Sequence, residues 1–173
     1  MLFFQIIIPK PTSLETLLYD LSSAGCMRGF EKVSRVGDDE SIKIPMRSTS
    51  RSAGYDFFSP EDIKIPPGKE VLIRTGVKVY MKADEALFIY PRSSLGIKKG
   101  LMLKNTVGII DSDYYNNPEN EGEIMLCLLN ISEKEAEISS GDKICQGIFQ
   151  KILVADEDVQ DVERLGGIGS TGR

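Results

Sequence analysis

A chain of 173 residues with 21 basic and 26 acidic side chains carries a formal net charge of −5. That length suits one domain with a real core, and the sign is wrong for broad binding along nucleic-acid phosphates. No apolar run approaches the ~18 residues needed to cross a bilayer. The absence of any histidine excludes Ser-His and Cys-His catalysis, imidazole bases and most zinc enzymes. Chemistry here falls to carboxylates, hydroxyls, cations and a hard metal ion.

Met1 to Ile8 is apolar, but no cation precedes it and Pro9 and Pro11 end it early, which makes a poor secretory signal. Thr12 with Glu15 forms a capping box, and Leu14, Leu17, Leu18 and Leu21 follow helical spacing, predicting a short amphipathic helix over 12–22. That helix either packs on the domain or meets another subunit. Residues 1–27 read as an N-terminal extension, with Met27 as an alternative start. From Phe30 the chain alternates short apolar runs with turn residues, the pattern of an all-β sandwich or barrel. Strands are predicted at 30–36, 54–58, 70–80, 86–90, 101–103, 107–110, 122–130, 136–138 and 143–153, with one helical turn over 93–98. Residues 28–154 form this β domain. The acidic and then Gly-rich segment 155–173 cannot build core and reads as a mobile C-terminal arm. Cys26, Cys127 and Cys145 have no metal-site spacing; they read as reduced thiols, which suit the cytoplasm.

Four clusters carry chemistry. Pro91-Arg92-Ser93-Ser94-Leu95-Gly96 brings a guanidinium, two hydroxyls and a helix start together, the equipment of a phosphate site, although such a segment is also a common turn. Gly108-Ile109-Ile110-Asp111-Ser112-Asp113-Tyr114 ends an apolar run in acids. It fits a solvated strand end, or a carboxylate base at a pocket mouth. Ala53-Gly54-Tyr55-Asp56 allows close backbone approach and offers an acid to a metal's water shell, or is simply a strand start. The Gly-rich tail either closes over phosphates or does nothing.

In this order the segments resemble the trimeric dUTP diphosphatase (dUTPase) family. The other two matching stretches are Gly141-Asp142-Lys143-Ile144-Cys145-Gln146 and Arg164-Leu165-Gly166-Gly167-Ile168-Gly169-Ser170-Thr171-Gly172. The resemblance spans about 45–172. It implies an all-β, distorted jelly-roll (β-clip) subunit with the short N-terminal helix and flexible C-terminal arm, assembled as a homotrimer with shared active sites. It implies Mg²⁺-assisted hydrolysis of dUTP to dUMP and pyrophosphate, with no membrane and no direct nucleic-acid partner.

In that reading Asp111 activates the attacking water. Asn105 and the main chain at Gly108 and Ile110 hold uracil, and Tyr114 packs on the deoxyribose. Arg92, Ser93, Ser94 and Gln146 hold the phosphates, and Asp56 reaches the metal through water. Arg164, Ser170 and Thr171 of a neighbour's arm cover the γ-phosphate, with Ile168 over the base.

Two departures stand out. Ile168 replaces an aromatic, which forfeits base stacking of about 1–3 kcal/mol. Tyr115 to Glu121 lengthens a connection that the family usually makes with about one residue. Two rivals accompany this reading. One is a dCTP deaminase-like enzyme of the same fold, which would need an acid where Cys127 stands. The other is a dUTP-sensing regulatory protein.

Overall fold

The computed structural model describes residues 27–158 and Gly166. The helix expected over 12–22 and the arm residues Arg164, Ile168, Ser170 and Thr171 lie outside the described residues. The strands are β1 (Gly29–Lys32), β2 (Met46–Arg47), β3 (Tyr55–Phe58), β4 (Ile63–Ile65), β5 (Glu70–Arg74), β6 (Val77–Tyr80), β7 (Glu85–Pro91), β8 (Leu101–Leu103), β9 (Gly108–Asp111), β10 (Met125–Asn130), β11 (Ala136–Ile138) and β12 (Lys143–Lys151). Beside them, among the described residues, stand one helix, α1 (Ser93–Lys99), and 3₁₀ turns at Ser34–Val36 and Ser112–Tyr114. The chain is all-β, as expected.

A five-stranded sheet in the order β2-β3-β12-β7-β9 faces a three-stranded sheet, β5-β10-β8, with the small pairs β1-β6 and β11-β4 closing the sides. Alternation dictates which residues fill the space between them. On β10, Leu126 and Leu128 turn inward while Met125, Cys127 and Leu129 turn outward. Phe57, Leu87, Ile89 and Ile144 meet Ile73, Leu101, Leu103 and Leu128 in one buried cluster. Each fully buried apolar side chain of this kind contributes about 1.5–3 kcal/mol.

Several boundaries differ from the sequence reading: β10 begins at Met125 rather than at 122 and β12 ends at Lys151 rather than at 153, and three further differences change the shape of an element. The strand expected over 30–36 ends at Lys32 and continues as the Ser34–Val36 turn. The run 70–80 breaks between Arg74 and Val77, because Gly76 takes a φ of +71° and turns the chain from β5 into β6. Residues 93–99 form two helical turns rather than one, and Gly100, at φ +61°, stops them.

The break after β5 is held by a buried acid. Glu123, fully buried, accepts from Arg35 Nε, Arg74 Nε and the Gly76 amide, each at 3.0 Å, and both guanidinium Nη2 groups also donate to it. It therefore ties the Ser34–Val36 turn and the end of β5 to the approach to β10. Burial pushes the Glu123 carboxyl up, but the donors from Arg35, Arg74 and Gly76 outweigh it and hold it below its ordinary range. No buried side-chain nitrogen or oxygen among the described residues lacks a partner.

A carboxyl lowered in this way stabilises the fold at pH values above its ordinary 4.5, and that contribution disappears as the pH falls through the folded-state value. Glu123→Gln leaves two half-exposed arginines without their buried counter-charge, at a cost of about 3 kcal/mol near pH 7. The loss should shrink at pH 3. Thermal unfolding of both proteins at the two pH values measures this, and an equal loss at both would refute the role assigned to Glu123.

Candidate active site

Strand β7 leaves the five-stranded sheet at Pro91, and Arg92 opens α1 from extended backbone. The amides of Ser93 and Ser94, in the first turn, have no intrahelical acceptor, as at any helix start. Both serines are exposed. Across from α1, the turn between β11 and β12 is closed by the Asp142 amide donating to the Ser139 carbonyl at 2.9 Å. Between these elements lies an open cleft of about 330 Å³ that includes Arg92, Ser94, Lys98, Lys99, Asp142 and Lys143 in its lining. Four cations there face one acid, and Lys99 already binds that acid at 2.9 Å. An acidic protein thus concentrates positive charge in one place.

Arg92 does not stand alone. Asp56, on β3 and 3% exposed, receives Arg92 Nη1 on one oxygen. On the other it receives Ser48 Oγ at 2.6 Å and Lys143 Nζ at 2.9 Å. Lys143 also donates to Ser48 Oγ at 2.7 Å. Burial pushes the Asp56 carboxyl up, while Ser48, Lys143 and Arg92 hold it below the usual carboxylate range. Two cations and a hydroxyl are surroundings that suit an anchor for Arg92 rather than a contact to a hydrated cation. Among the described residues no group of three or more Asp, Glu, Cys or His side chains is arranged to hold a metal.

Next to Asp56, the backbone at Gly54 passes under Gln146 of β12. A Cβ at position 54 would lie 2.7 Å from Gln146 Oε1 and 3.1 Å from its Cβ, so only glycine leaves this glutamine in place. Gln146 itself stands opposite Asp56 on one side and Tyr90 on the other.

The second half of the chemistry lies elsewhere. Asn105 is exposed in the turn that leads from β8 to β9, strands of two different sheets, where Thr106 takes a φ of +62° and its amide donates to Leu103 at 3.0 Å. Among the described residues β9 pairs only with β7 and forms the sheet edge, so alternate backbone groups over 108–111 face away from the ladder. Asp111 is half-buried and pairs with Ala86 of β7. From Ala86 to Arg92 is roughly six steps along β7, which at about 3.3 Å each is roughly 20 Å. Asp111 and the cationic cleft therefore lie at opposite ends of the same strand. Tyr114 is only 7% exposed; its hydroxyl donates to the Glu123 carbonyl at 3.2 Å and accepts from Asn120 Nδ2 at 2.8 Å. The structure thus gathers Arg92, Ser93, Ser94, Gln146 and Asp56 in one region, and Asn105, Gly108, Ile110, Asp111 and Tyr114 in another.

The dUTPase family model matches residues 40–172. The chain is 49% identical over 148 residues to the deoxyuridine 5'-triphosphate nucleotidohydrolase of Lactococcus lactis, covering 84% of this chain and 98% of the relative. The crystal structure of dUTPase from Streptococcus mutans superposes with a TM-score of 0.68 at 43% identity, over 74% of this chain and 98% of that one. The chain belongs to the dUTPase family.

At 19% identity and a TM-score of 0.61, a mutant dUTPase from phage phi11 of S. aureus, described with a structural Mg(II) ion, shares the fold over 79% of this chain and 97% of its own. Set against the family motifs, Ser48 and Lys143 are the residues the sequence reading missed as partners of Asp56. Lys143 was in view within Gly141-Asp142-Lys143-Ile144-Cys145-Gln146, whereas nothing local marks Ser48.

Replacing Asp56 with Asn removes the negative charge that Arg92 and Lys143 share, and charged hydrogen bonds of this kind contribute about 2 kcal/mol. The thermal midpoint should fall. Added inorganic pyrophosphate should then raise it more in Asp56→Asn than in the wild type, since the anion supplies the missing counter-charge. An equal or smaller gain in thermal-shift titrations would count against the pairing.

Proposed function

We propose that this chain is a dUTP nucleotidohydrolase. Water attacks the α-phosphorus of dUTP, the bond from that phosphorus to the bridging oxygen of the β-phosphate breaks, and dUMP and pyrophosphate leave. The observation that carries this reading is Asp111 at the end of edge strand β9, with Asn105 in the turn that leads into the same strand. The free edge of β9 offers main-chain donors and acceptors at Gly108 and Ile110 to the polar rim of uracil. Asn105 adds an amide at that turn. A slot this close to backbone has no room for thymine's methyl group, and exclusion by contact is stronger than a merely poor fit. Tyr114, next to the acid, walls off the sugar.

Asp111 takes a proton from the attacking water and orients it in line with the leaving pyrophosphate. Arg92, the hydroxyls and first-turn amides of Ser93 and Ser94, and Gln146 bind the phosphate chain. Asp56 holds Arg92 with its fork toward the cleft, which supplies charge neutralisation without reorganisation during the reaction. The described residues do not make a protein-held metal site, and Asp56 is taken up by cations. Magnesium would enter as the counter-ion of the triphosphate, where it neutralises phosphate charge.

Asp111 and Arg92 cannot meet the same nucleotide from one chain across roughly 20 Å of β7. A complete site therefore takes Asp111 from one subunit and Arg92 from another, which favours a closed symmetric ring over a monomer. The outer face of the β5-β10-β8 sheet fits such an interface. Leu72, 55% exposed, stands opposite Cys127, and Met102 stands opposite Leu129. We assign a homotrimer, with Arg164, Ser170, Thr171 and Ile168 of a third arm closing each site. The deaminase alternative lacks its acid, because Cys127 stands in β10 where that acid would be needed.

Two measurements test the proposal. Asp111→Asn should bind dUTP and hydrolyse it at least ~10²-fold more slowly; near-normal pyrophosphate release would remove Asp111 from the base role. Mixing Asp111→Asn chains with Arg92→Ala chains, after co-refolding, should restore activity in about a quarter of the sites, half of the chance for each intact contribution. Two inactive pools that stay inactive together would rule out sites shared between chains.

A further inference from the structure

The connection from Tyr114 to β10 is longer than the fold requires, and it is built rather than slack. Asn117, 4% exposed, donates from Nδ2 to the Tyr114 carbonyl at 2.9 Å and to Asn120 Oδ1 at 2.7 Å. Its own Oδ1 accepts the amides of Glu119 and Asn120 at 3.1 and 3.2 Å. Asn120 Oδ1 also accepts the Gly122 amide at 3.0 Å, and its Nδ2 reaches the Tyr114 hydroxyl at 2.8 Å. Both amide side chains are thus spent on folding the loop back over Tyr114.

The far side of the loop is fastened as well. Lys78 of β6 donates to Asn116 Oδ1 at 2.6 Å and sits 5.1 Å from the centre of the Tyr115 ring. Tyr115 Oη donates to Glu31 at 2.7 Å, and Glu121 accepts the Ser34 hydroxyl at 2.9 Å. The loop therefore bridges the β1-β6 pair and the Ser112–Tyr114 turn.

We propose that this loop, through Asn120, is a positioning element for Tyr114 and so sets the preference for deoxyribose over ribose. The inference rests on the reading of Tyr114 as the wall behind the sugar, and it adds the group that holds the wall. The Tyr114 ring has no freedom to retreat from a 2′-hydroxyl while its own hydroxyl is gripped between Asn120 Nδ2 and the Glu123 carbonyl. With Asn120 gone, one of these two grips is lost, and the ring can rock away from the sugar. Asn120 touches no substrate; its effect appears in discrimination rather than in the chemical step.

The experiment compares kcat/KM for dUTP and UTP in wild type, Asn120→Ala, Tyr114→Phe and the double variant, as full-length assembled protein with magnesium. Asn120→Ala should lower the dUTP-over-UTP ratio about tenfold, the worth of one hydrogen bond, with kcat on dUTP nearly unchanged. Tyr114→Phe removes the hydroxyl and with it both grips, and leaves Asn120 bonded to Asn117 and Gly122. It should lower the ratio at least as much as Asn120→Ala, and the double variant should lose nothing beyond Tyr114→Phe. If Asn120→Ala does not fold, Asn120→Asp decides, because it keeps an oxygen for Asn117 and Gly122 and loses only the donor to Tyr114: a fallen ratio supports the proposal and a retained one overturns it. Equal losses on both nucleotides, or losses that add in the double variant, overturn it too. A wild type that hydrolyses dUTP but accepts UTP equally refutes the wall and its support together. A wild type inert toward dUTP instead refutes the proposed activity.

Discussion

Arg92, Lys143 and Ser48 converge on one buried carboxylate, Asp56. The three donors come from the end of β7, the start of β12 and the loop after β2, and the acceptor lies on β3. The same group of contacts therefore fastens three strands of the large sheet and aims the guanidinium of the cationic cleft. A carboxylate this deep costs desolvation, and it is tolerated only because charged and polar donors surround it. Its loss would loosen three inner strands of the sheet together with the cationic cleft at their end. In the proposed function, stability and phosphate binding share this one anchor.

The Asp56 surroundings also bear on how a protein of net charge −5 handles a polyanion. Four of its 21 basic residues converge in one place. Arg92, Lys98, Lys99 and Lys143 line one cleft, and several acids elsewhere are already neutralised in pairs, such as Glu85 with Arg28 and Glu70 with Lys104. A few convergent charges in a partly enclosed cleft attract a phosphate chain more strongly than the overall charge repels it, because field lines are focused there.

Much of the architecture was legible in the residues. Apolar runs bounded by turn residues exposed β7, β10 and β12. β2 escaped because two residues carry no pattern, and β4 because Ile65 runs straight into Pro66-Pro67-Gly68, which reads as a turn. The break at Gly76 was missed although Arg74-Thr75-Gly76 interrupts the apolar residues of 70–80. The chemistry-bearing residue types were visible too, but their partnerships were not. Asp56, Arg92 and Lys143 are far apart in the chain, and only the ladder of β3, β12 and β7 brings them together. The withdrawal of Tyr114 from solvent was equally hidden, because the asparagines that cover it read as an ordinary polar loop.

The separation of Asp111 from Arg92 along β7 has a kinetic signature. With the shared site proposed above, neither half would turn over substrate by itself, so specific activity should depend on enzyme concentration once dilution begins to dissociate the assembly, and nucleotide bound across two chains should oppose that dissociation by mass action. A lag after rapid dilution into substrate, or its disappearance on preincubation with nucleotide, would then report subunit exchange rather than any slow step in bond cleavage.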